Sequence, residues 1–247
     1  MENAVYLLKL VVRWATLTVS ISLLLLVAAG TTRLPSLRNY LVTFSAFLLA
    51  TMLAIDPELA KERSRAFETG GTTGRFVAGL CFLATLALSA LDVARLHWFH
   101  SVPAEARAGS LLLVAASSVL QMWAMVVNPF FSPEIRLQAE RGHQLVSCGP
   151  YRFLRHPGYL AMLISAPASA LAIGSWLALL PASTFCLVIL KRVGAEEEFL
   201  QKNLAGYRDY VRQVRGCLFP RIAVHRRPYR LSVVTKFELP ASDRRWP

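Results

Sequence analysis

The chain has 247 residues, of which 55% are hydrophobic and 17% charged, and its mean hydropathy is +0.44. Soluble globular domains usually carry about 25% charged residues, so this composition excludes an ordinary soluble domain and favours a membrane bundle. The net charge of +12 would permit nucleic-acid binding. The apolar runs indicate instead that the basic residues face anionic lipid headgroups, and no nucleic-acid partner is expected.

Four apolar segments follow one another in the first half of the chain, at residues 11–29, 40–55, 76–91 and 109–127. Each is close to the length that crosses a hydrocarbon core. The N-terminus has no small-residue cleavage site behind a short apolar core, so the first segment is interpreted as a retained span. Residues 1–127 are therefore predicted to form an N-terminal four-helix membrane region.

A longer apolar run covers residues 158–190 without one charged side chain. One helix of that length would reach about 50 Å, far beyond a hydrocarbon core of about 30 Å. Gly174 lies in its middle, between Pro167 and Pro181, which favours two helices joined by a tight turn. The predicted fold is all-α: a polytopic membrane bundle of about six transmembrane helices, the last two a helical hairpin, with a cytoplasmic cofactor site.

The distribution of Lys and Arg predicts the orientation. With the N-terminus inside, 23 of the 27 basic residues fall in inside segments, as the positive-inside rule requires. Both termini and the polar block at residues 143–156 are then cytoplasmic. The sequence after Pro220 is basic and interrupted by prolines, so residues 221–247 are expected to form a loosely ordered tail on the membrane surface.

Several common kinds of site are not indicated. The four cysteines form no C-x-x-C pair, and Cys81 and Cys186 lie in apolar runs, so neither a metal site nor a disulfide framework is expected. Dinucleotide-binding, Walker and H-E-x-x-H motifs are missing from the sequence. The soluble nucleotide-binding folds are thereby excluded.

A dense polar block precedes the hairpin. Pro157 suits the first turn of a helix, so a helix is predicted to start at His156–Pro157 with its N-terminus at the interface. Such an end attracts a carboxylate or phosphate. Tyr151, Arg155 and Tyr159 add donors and aromatic rings around that point. A basic interfacial anchor is the simpler alternative.

Lys191–Arg192 and Glu196–Glu197–Glu198 follow the hairpin directly. Arg192 and Glu196 share one helix face at i,i+4, which alone indicates an ordinary surface ion pair. The hairpin, however, brings them back beside His156 and Tyr159. An anion-binding arginine beside a cation-binding glutamate is therefore predicted at the open end of the hairpin, where its two arms meet.

Three further segments carry weaker signals. Asn128–Ser132, with Arg136, Gln138 and Arg141, could line the same cavity or solvate a loop, and both interpretations stay open. Residues 204–210, with two tyrosines three apart, are expected to pack as a short amphipathic helix. Residues 56–65 are interpreted as a capped helix start and not as a site.

The pattern H-x-L-V-x-x-G-P-Y-R-x-x-R-H-P-x-Y, an apolar hairpin, then R-x-x-x-E-E and Y-x-x-Y, resembles the isoprenylcysteine carboxyl methyltransferase family. That family belongs with the phospholipid methyltransferases among integral membrane enzymes that use S-adenosylmethionine. The resemblance covers residues 128–220, which would form the catalytic core, and is typical of a bacterial inner-membrane member. Gly158 stands where the family often has serine.

The resemblance implies a set of site residues. The expected cofactor-binding residues are Gln138, His143, Gln144, Leu145, Val146, Tyr151, Arg155, His156, Pro157, Gly158, Tyr159 and Glu196. Arg192 falls where the family places the arginine that orients the substrate carboxylate, and Arg192, Glu196 and Glu197 are the expected catalytic residues.

This chemistry needs mainly orientation and exclusion of water. A carboxylate acceptor is already deprotonated at neutral pH and needs no base, whereas an amine or thiol would need one, with Glu197 or His156 as candidates. Three other functions stay open: a phospholipid or amine N-methyltransferase, a sterol-type membrane reductase using NAD(P)H, and a non-enzymatic membrane carrier. In each case the expected partners are the bilayer and a lipophilic small molecule or lipid.

Overall fold

The computed structural model describes residues 2–68, 73–99 and 102–219, and the predicted basic tail at residues 221–247 lies outside them. Within these ranges the chain is helical and contains no strand. The α-helices are α1 (Glu2–Ala29), α2 (Pro35–Ala54), α3 (Pro57–Glu68), α4 (Thr73–Leu91), α5 (Ala104–Val127), α6 (Pro157–Ile173), α7 (Leu179–Asn203) and α8 (Tyr207–Gln213).

Four of these helices are long and apolar enough to cross a membrane: Leu8–Ala29, Pro35–Ala54, the continuous stretch Thr73–Leu96, and Ala104–Val127. Helix α6 is a shorter apolar helix, and α7 is apolar only in its first half. Large side chains such as Leu23, Val27 and Leu112 point outward, which is costly in water and favourable in lipid. The prediction of a polytopic all-helical membrane bundle is confirmed.

The hairpin predicted between residues 158 and 190 is present. Helix α6 begins at Pro157, as the sequence indicated, and ends at Gly174, whose φ of +122° only glycine adopts readily. Helix α7 begins after a short turn and runs past the apolar segment to Asn203. Its second half therefore carries the charged residues 191–198 back to the start of α6.

The turn of the hairpin is fixed at the α4–α5 end of the bundle. A π-helical turn, Asp92–Leu96, extends α4, and the buried carboxylate of Asp92 accepts a hydrogen bond of 2.6 Å from the Ser175 hydroxyl. Arg95 donates to the carbonyl of Ala29 at the end of α1. The hairpin consequently runs through the bundle to the opposite end from α3.

Packing inside the bundle is apolar and close. Leu25, Leu86, Val114 and Ile173 belong to one buried cluster shared by α1, α4, α5 and α6. A second cluster joins α4 to both arms of the hairpin, and its buried members are Ala78, Ala166, Ala182, Phe185 and Ile189. The small residues of this second cluster allow the hairpin arms to approach closely.

The opposite end of the bundle gathers the polar segments. Helix α3 contacts the α5–α6 connection through Glu62, which is buried and forms an ion pair of 2.6 Å with Arg136. It contacts α1 through a hydrogen bond from Arg13 to Ser64. These contacts place α3, the connection 128–156 and the charged half of α7 around one region.

Candidate active site

A cavity of about 430 Å³ opens in that region, a volume typical of small-molecule sites. Its walls come from α3, the start of α4, the α5–α6 connection, both arms of the hairpin, Leu204 and α8. Polar residues surround the end near the start of α6. Apolar side chains of α4, α6 and α7 continue the cavity toward the interior of the bundle.

The mouth of the hairpin joins the two polar stretches that the sequence analysis brought together. The Tyr159 hydroxyl donates to the Glu196 carboxylate at 2.5 Å, and Arg192 donates from Nε to the Tyr159 oxygen at 2.8 Å. Arg192 also donates to the carbonyl of Pro133. Tyr159, Arg192 and Glu196 all line the cavity, so this juxtaposition is as expected.

The neighbouring carboxylate, Glu197, points away from the cavity. It lies 2.8 Å from His156 Nε2 and 3.0 Å from Arg155 Nε, and it accepts a 3.0 Å hydrogen bond from the Tyr207 hydroxyl. Glu197 is not in the cavity wall, whereas Arg155, His156 and Tyr207 are. Glu197 faces another side of α7 from Glu196, because the next position on a helix lies about 100° away. Glu197 instead fixes the cavity-lining residues from behind.

The charge state of Glu197 follows from these contacts. Burial alone raises the pKa of a carboxyl group, but the interactions with His156, Arg155 and Tyr207 outweigh it and lower the pKa of Glu197 to about 2. Burial, and then the negative charge of Glu197, raise the pKa of the Tyr207 phenol. Tyr207 therefore remains a hydrogen-bond donor at any physiological pH.

The thiol of Cys217 lies behind the same wall. One ligand atom each from His156, Glu197 and Cys217 lies within 4.8 Å of the others. The backbone N–H groups of Arg155 and His156 also donate to the carbonyls of Gly216 and Cys217. The guanidinium of Arg155 already supplies the positive charge that balances Glu197, so the group is explained by internal pairing without an ion.

Gln138 also lies outside the cavity wall, in contrast to its expected contact with a cofactor. Its side chain is fully buried, donating to the Phe130 carbonyl at 2.8 Å and accepting from Arg141 at 2.5 Å. These bonds use the amide to shape the loop.

His143 joins that loop to the cavity. Its ring stacks on Phe130 with centroids 4.5 Å apart, and it lines the cavity together with Gln144, Leu145 and Val146. Burial, followed by the positive charges of Arg136 and Arg141, lowers the pKa of the His143 imidazole. The ring is thus held neutral at pH 7.

The start of α6 closes tightly against the α5–α6 connection. Tyr151, Pro157 and Gly158 are buried and line the cavity. A Cβ atom placed on Gly158 would lie 2.5 Å from the Phe131 ring, so the ring occupies the space that the family's usual serine would need. Phe131 lines the cavity too, as do Asn128, Phe130, Ser132 and Arg136, whereas Gln138 and Arg141 are not in its wall.

The sequence analysis missed the contribution of the N-terminal half. Arg63 of α3 and Arg75, Ala78, Gly79 and Phe82 of α4 all line the cavity. The capped helix start predicted at residues 56–65 is present as the start of α3, with Asp56 accepting from the Glu58 N–H at 2.8 Å, but Arg63 of this segment lines the cavity, which was not expected. The positive-inside assignment already put it on the same side as residues 143–156, which is the signal that could have found it.

The segment 204–210 packs as expected and also faces the cavity. Tyr207 and Tyr210 are buried, and both line the cavity. The Tyr210 hydroxyl donates to the Tyr151 carbonyl at 2.7 Å, while Arg155 donates to the Val214 carbonyl at 2.6 Å. This segment therefore holds the chain in front of α6 in place.

Comparison with known proteins finds matches to the second half of the chain. The model of the "Isoprenylcysteine carboxyl methyltransferase (ICMT) family" matches residues 110–202. Two curated relatives, from Oryza sativa subsp. indica and Oryza sativa subsp. japonica, are both called "Probable protein-S-isoprenylcysteine O-methyltransferase". Each is 30% identical over 129 residues, covering 49% of this chain and 62% of the relative. The chain thus spans less than two thirds of the length of these relatives.

The matched segment contains most of α5, the α5–α6 connection and nearly all of the hairpin. The family model matches residues 110–202 and supports the resemblance predicted from the sequence. Together with the apolar helices, it identifies an integral membrane protein. Helices α3 and α4, which supply one side of the cavity, lie outside the matched segment.

Proposed function

We propose that this protein is a membrane methyltransferase that uses S-adenosylmethionine and transfers a methyl group to a lipophilic acceptor, most simply a carboxylate. The observation that carries the proposal is the single cavity in which the start of α6 and the charged half of α7 meet. The family match over the same residues supports it.

The residues present fit such a cofactor. When bound, S-adenosylmethionine supplies an activated methyl group on a positively charged sulfonium. The carboxylate of Glu196 offers the negative charge that a cationic group requires. The aromatic rings of Tyr151 and Tyr159 and the backbone of residues 143–146 provide surfaces for an adenosine. In this proposal Arg155, His156 and Pro157 complete that wall, and Glu197 holds His156 and Arg155 from behind.

The apolar extension of the cavity suits the acceptor. Gly79, Phe82, Met162, Phe185 and Ile189 line it, and removing the apolar part of an acceptor from water favours its binding there. Arg192 lies between this extension and Glu196, where its remaining N–H groups can orient a carboxylate. Methyl transfer to a carboxylate requires no general base, so positioning and exclusion of water are sufficient.

One observation favours a second class of acceptor. His156 lines the cavity and its Nε2 lies 2.8 Å from Glu197, which is the arrangement of a general base oriented by a carboxylate. An amine or thiol acceptor must lose a proton, and this pair could accept it. The pH dependence of methyl transfer distinguishes the two classes, since transfer to a carboxylate needs no base in the neutral range.

A membrane reductase using NAD(P)H stays the runner-up among enzymes. Such an enzyme needs several cations for the phosphates of its cofactor. The cavity wall does hold five arginines, namely Arg63, Arg75, Arg136, Arg155 and Arg192. The family match favours the methyltransferase, and a direct comparison of cofactors decides between them.

The test of the proposed function is transfer of an isotopically labelled methyl group from S-adenosylmethionine. Purified protein is incubated with a lipid extract of the host and, separately, with prenylated cysteine carboxylates. The expected result is labelling of a lipophilic methyl ester by the wild type and none by Arg192→Ala. Labelling of an amine-containing lipid would identify the second acceptor class, and no transfer to any acceptor by a folded protein that binds the donor would contradict the proposal.

We also propose that the cavity opens to the cytoplasm of a bacterial cell, with the protein in the inner membrane and both termini cytoplasmic. The bias of the basic residues supports this orientation. A cytoplasmic opening is also required because S-adenosylmethionine is supplied in the cytoplasm.

A further inference from the structure

The arginines of the cavity wall differ in how their charges are balanced. Three form ion pairs with carboxylates, and these pairs are Arg75–Glu134, Arg136–Glu62 and Arg155–Glu197. Arg192 donates to Tyr159 and to the Pro133 carbonyl. Arg63 has neither kind of contact: among the described residues no carboxylate forms an ion pair with it, and its guanidinium carbon lies 5.6 Å from the centre of the Phe131 ring.

The surroundings of Arg63 are electropositive. Burial, followed by the repulsion of Arg13, lowers the pKa of Arg63 to about 10, so the side chain keeps its charge at neutral pH. Arg13 itself donates to Ser64, the next residue of α3. Contact with the Phe131 ring compensates for only part of the hydration free energy that the guanidinium loses on burial. The Arg63 side chain is half-buried, and a charge partly removed from water without a counterion favours an anion that enters the cavity.

The remainder of the cavity indicates what carries this anion. Directly after α3, the helix α4 contributes Ala78, Gly79 and Phe82 to the wall, opposite Phe185 and Ile189 of α7. Nothing lies within 4 Å of a Cβ atom placed on Gly79, so the wall is open at that point. A single anionic group at the polar end and an apolar chain along α4 would satisfy both parts of the cavity.

We propose that Arg63 is the anion-binding residue for an amphiphilic ligand, whose carboxylate or phosphate meets the guanidinium and whose apolar chain lies along α4. This inference rests on the proposed function, because the amphiphile would be the methyl acceptor or a lipid that binds at the acceptor's site. The binding step itself needs no methyl donor. Helices α3 and α4, outside the family match, then determine which acceptors are selected.

The experiment measures binding of three labelled probes to purified full-length protein in a neutral detergent. Palmitate supplies a carboxylate, palmitoyl lysophosphatidate supplies a phosphate, and monopalmitoyl glycerol is uncharged. Arg63→Gln is compared with Arg38→Gln, a matched change of an exposed arginine of α2, and Arg63→Lys tests rescue by charge. Binding of S-adenosylhomocysteine is measured on every variant.

The wild type is expected to prefer at least one anionic probe over the uncharged one. Arg63→Gln should lower the affinity for that probe by about 10- to 100-fold, as expected for the loss of a hydrogen bond to a charged group. Monopalmitoyl glycerol and S-adenosylhomocysteine should bind unchanged, Arg38→Gln should resemble the wild type, and Arg63→Lys should restore most of the affinity. If only palmitate binding is lost, the ligand carries a carboxylate. If only lysophosphatidate binding is lost, it carries a phosphate.

Three results would overturn the proposal. The first is equal binding of all three probes by the wild type, which decides the matter even if Arg63→Gln does not fold. The second is an Arg63→Gln variant whose affinities for the anionic probes stay within twofold of the wild type. The third is an Arg63→Gln variant that loses affinity for S-adenosylhomocysteine and keeps its affinity for the lipid probes, which would place Arg63 at the cofactor. Failure of methyl transfer with normal Arg63-dependent lipid binding would count against the proposed function alone.

Discussion

At the scale of single residues, two adjacent glutamates have different surroundings. Glu196 accepts from Tyr159 inside the cavity, whereas Glu197 pairs with His156 and Arg155 behind its wall. The sequence analysis placed both in the catalytic set because a triplet of carboxylates gives no information on which one faces inward. Only the rotation of α7 against α6 decides it.

Glu197→Gln is predicted to destabilise the protein by about 3 kcal/mol, because it leaves the half-buried Arg155 without its carboxylate. The pKa of Glu197 lies near 2, below the usual 4.5, so the carboxylate stabilises the folded state fully above pH 4.5 and progressively less as the pH falls toward 2. Melting temperatures of wild type and variant, measured in detergent across this range, should therefore converge at acidic pH. A constant difference from pH 7 to pH 3 would contradict the assigned charge state.

A second prediction concerns Gly158. Gly158→Ala brings a methyl group to about 2.5 Å from the Phe131 ring, so the ring must move and the wall of the proposed cofactor site must change. We expect weaker binding of S-adenosylhomocysteine, by about tenfold for a loss near 1.4 kcal/mol. Calorimetric titration measures it.

The matched control is the double variant Gly158→Ala with Phe131→Leu, in which the smaller side chain removes the collision. It should recover most of the affinity, since the two changes act on one contact. Independent, additive losses would show that Phe131 does not respond to position 158.

At the scale of elements, the hairpin is the part of the fold that the sequence predicts best. An uncharged run too long for one helix, with Gly174 at its centre, is sufficient to locate both arms and the turn. The bonds that fix the turn, such as Ser175 to Asp92, join residues far apart in the sequence. Local patterns carry no information about them, which is also why the contacts of α3 with the cavity were missed.

The turn makes a prediction of its own. Gly174→Ala forces a side chain into φ +122° and brings its Cβ to 3.4 Å from both Arg107 and Val93, which should cost about 1 to 3 kcal/mol. Gly194→Ala is the control, because Gly194 lies in the interior of α7 with nothing near its Cβ position. That substitution should stabilise by up to about 1 kcal/mol. Thermal unfolding in detergent compares the two, and equal effects would contradict the strained turn.

At the scale of the whole molecule, the bundle has two chemically different ends. One carries the hairpin turn with Asp92 and Arg95, and the other carries α3, the cavity mouth and most of the basic residues. The sequence predicted which segments belong together at each end from charge alone. The charge pattern places α3 at this end, but its exact position against the cavity depends on the Glu62–Arg136 pair, which joins residues far apart in the sequence.

The proposed orientation predicts the labelling of cysteines in intact bacterial cells. Cys148 is exposed beside the cavity mouth, and position 32 is exposed at the opposite end. In variants that retain one cysteine each, a membrane-impermeant maleimide should label Thr32→Cys from outside and Cys148 only after the cells are opened. The reverse pattern would show that the cavity faces outward.

The central claim is that the hairpin brings His156, Tyr159 and Glu196 together to bind a methyl donor. Calorimetric titration of the purified protein with S-adenosylhomocysteine, beside NADPH, tests it most directly. The predicted result is binding of S-adenosylhomocysteine by the wild type, at least tenfold weaker binding by a folded Glu196→Gln variant, and no competition from NADPH. Binding of NADPH alone, or binding of S-adenosylhomocysteine that Glu196→Gln leaves unchanged, would contradict it.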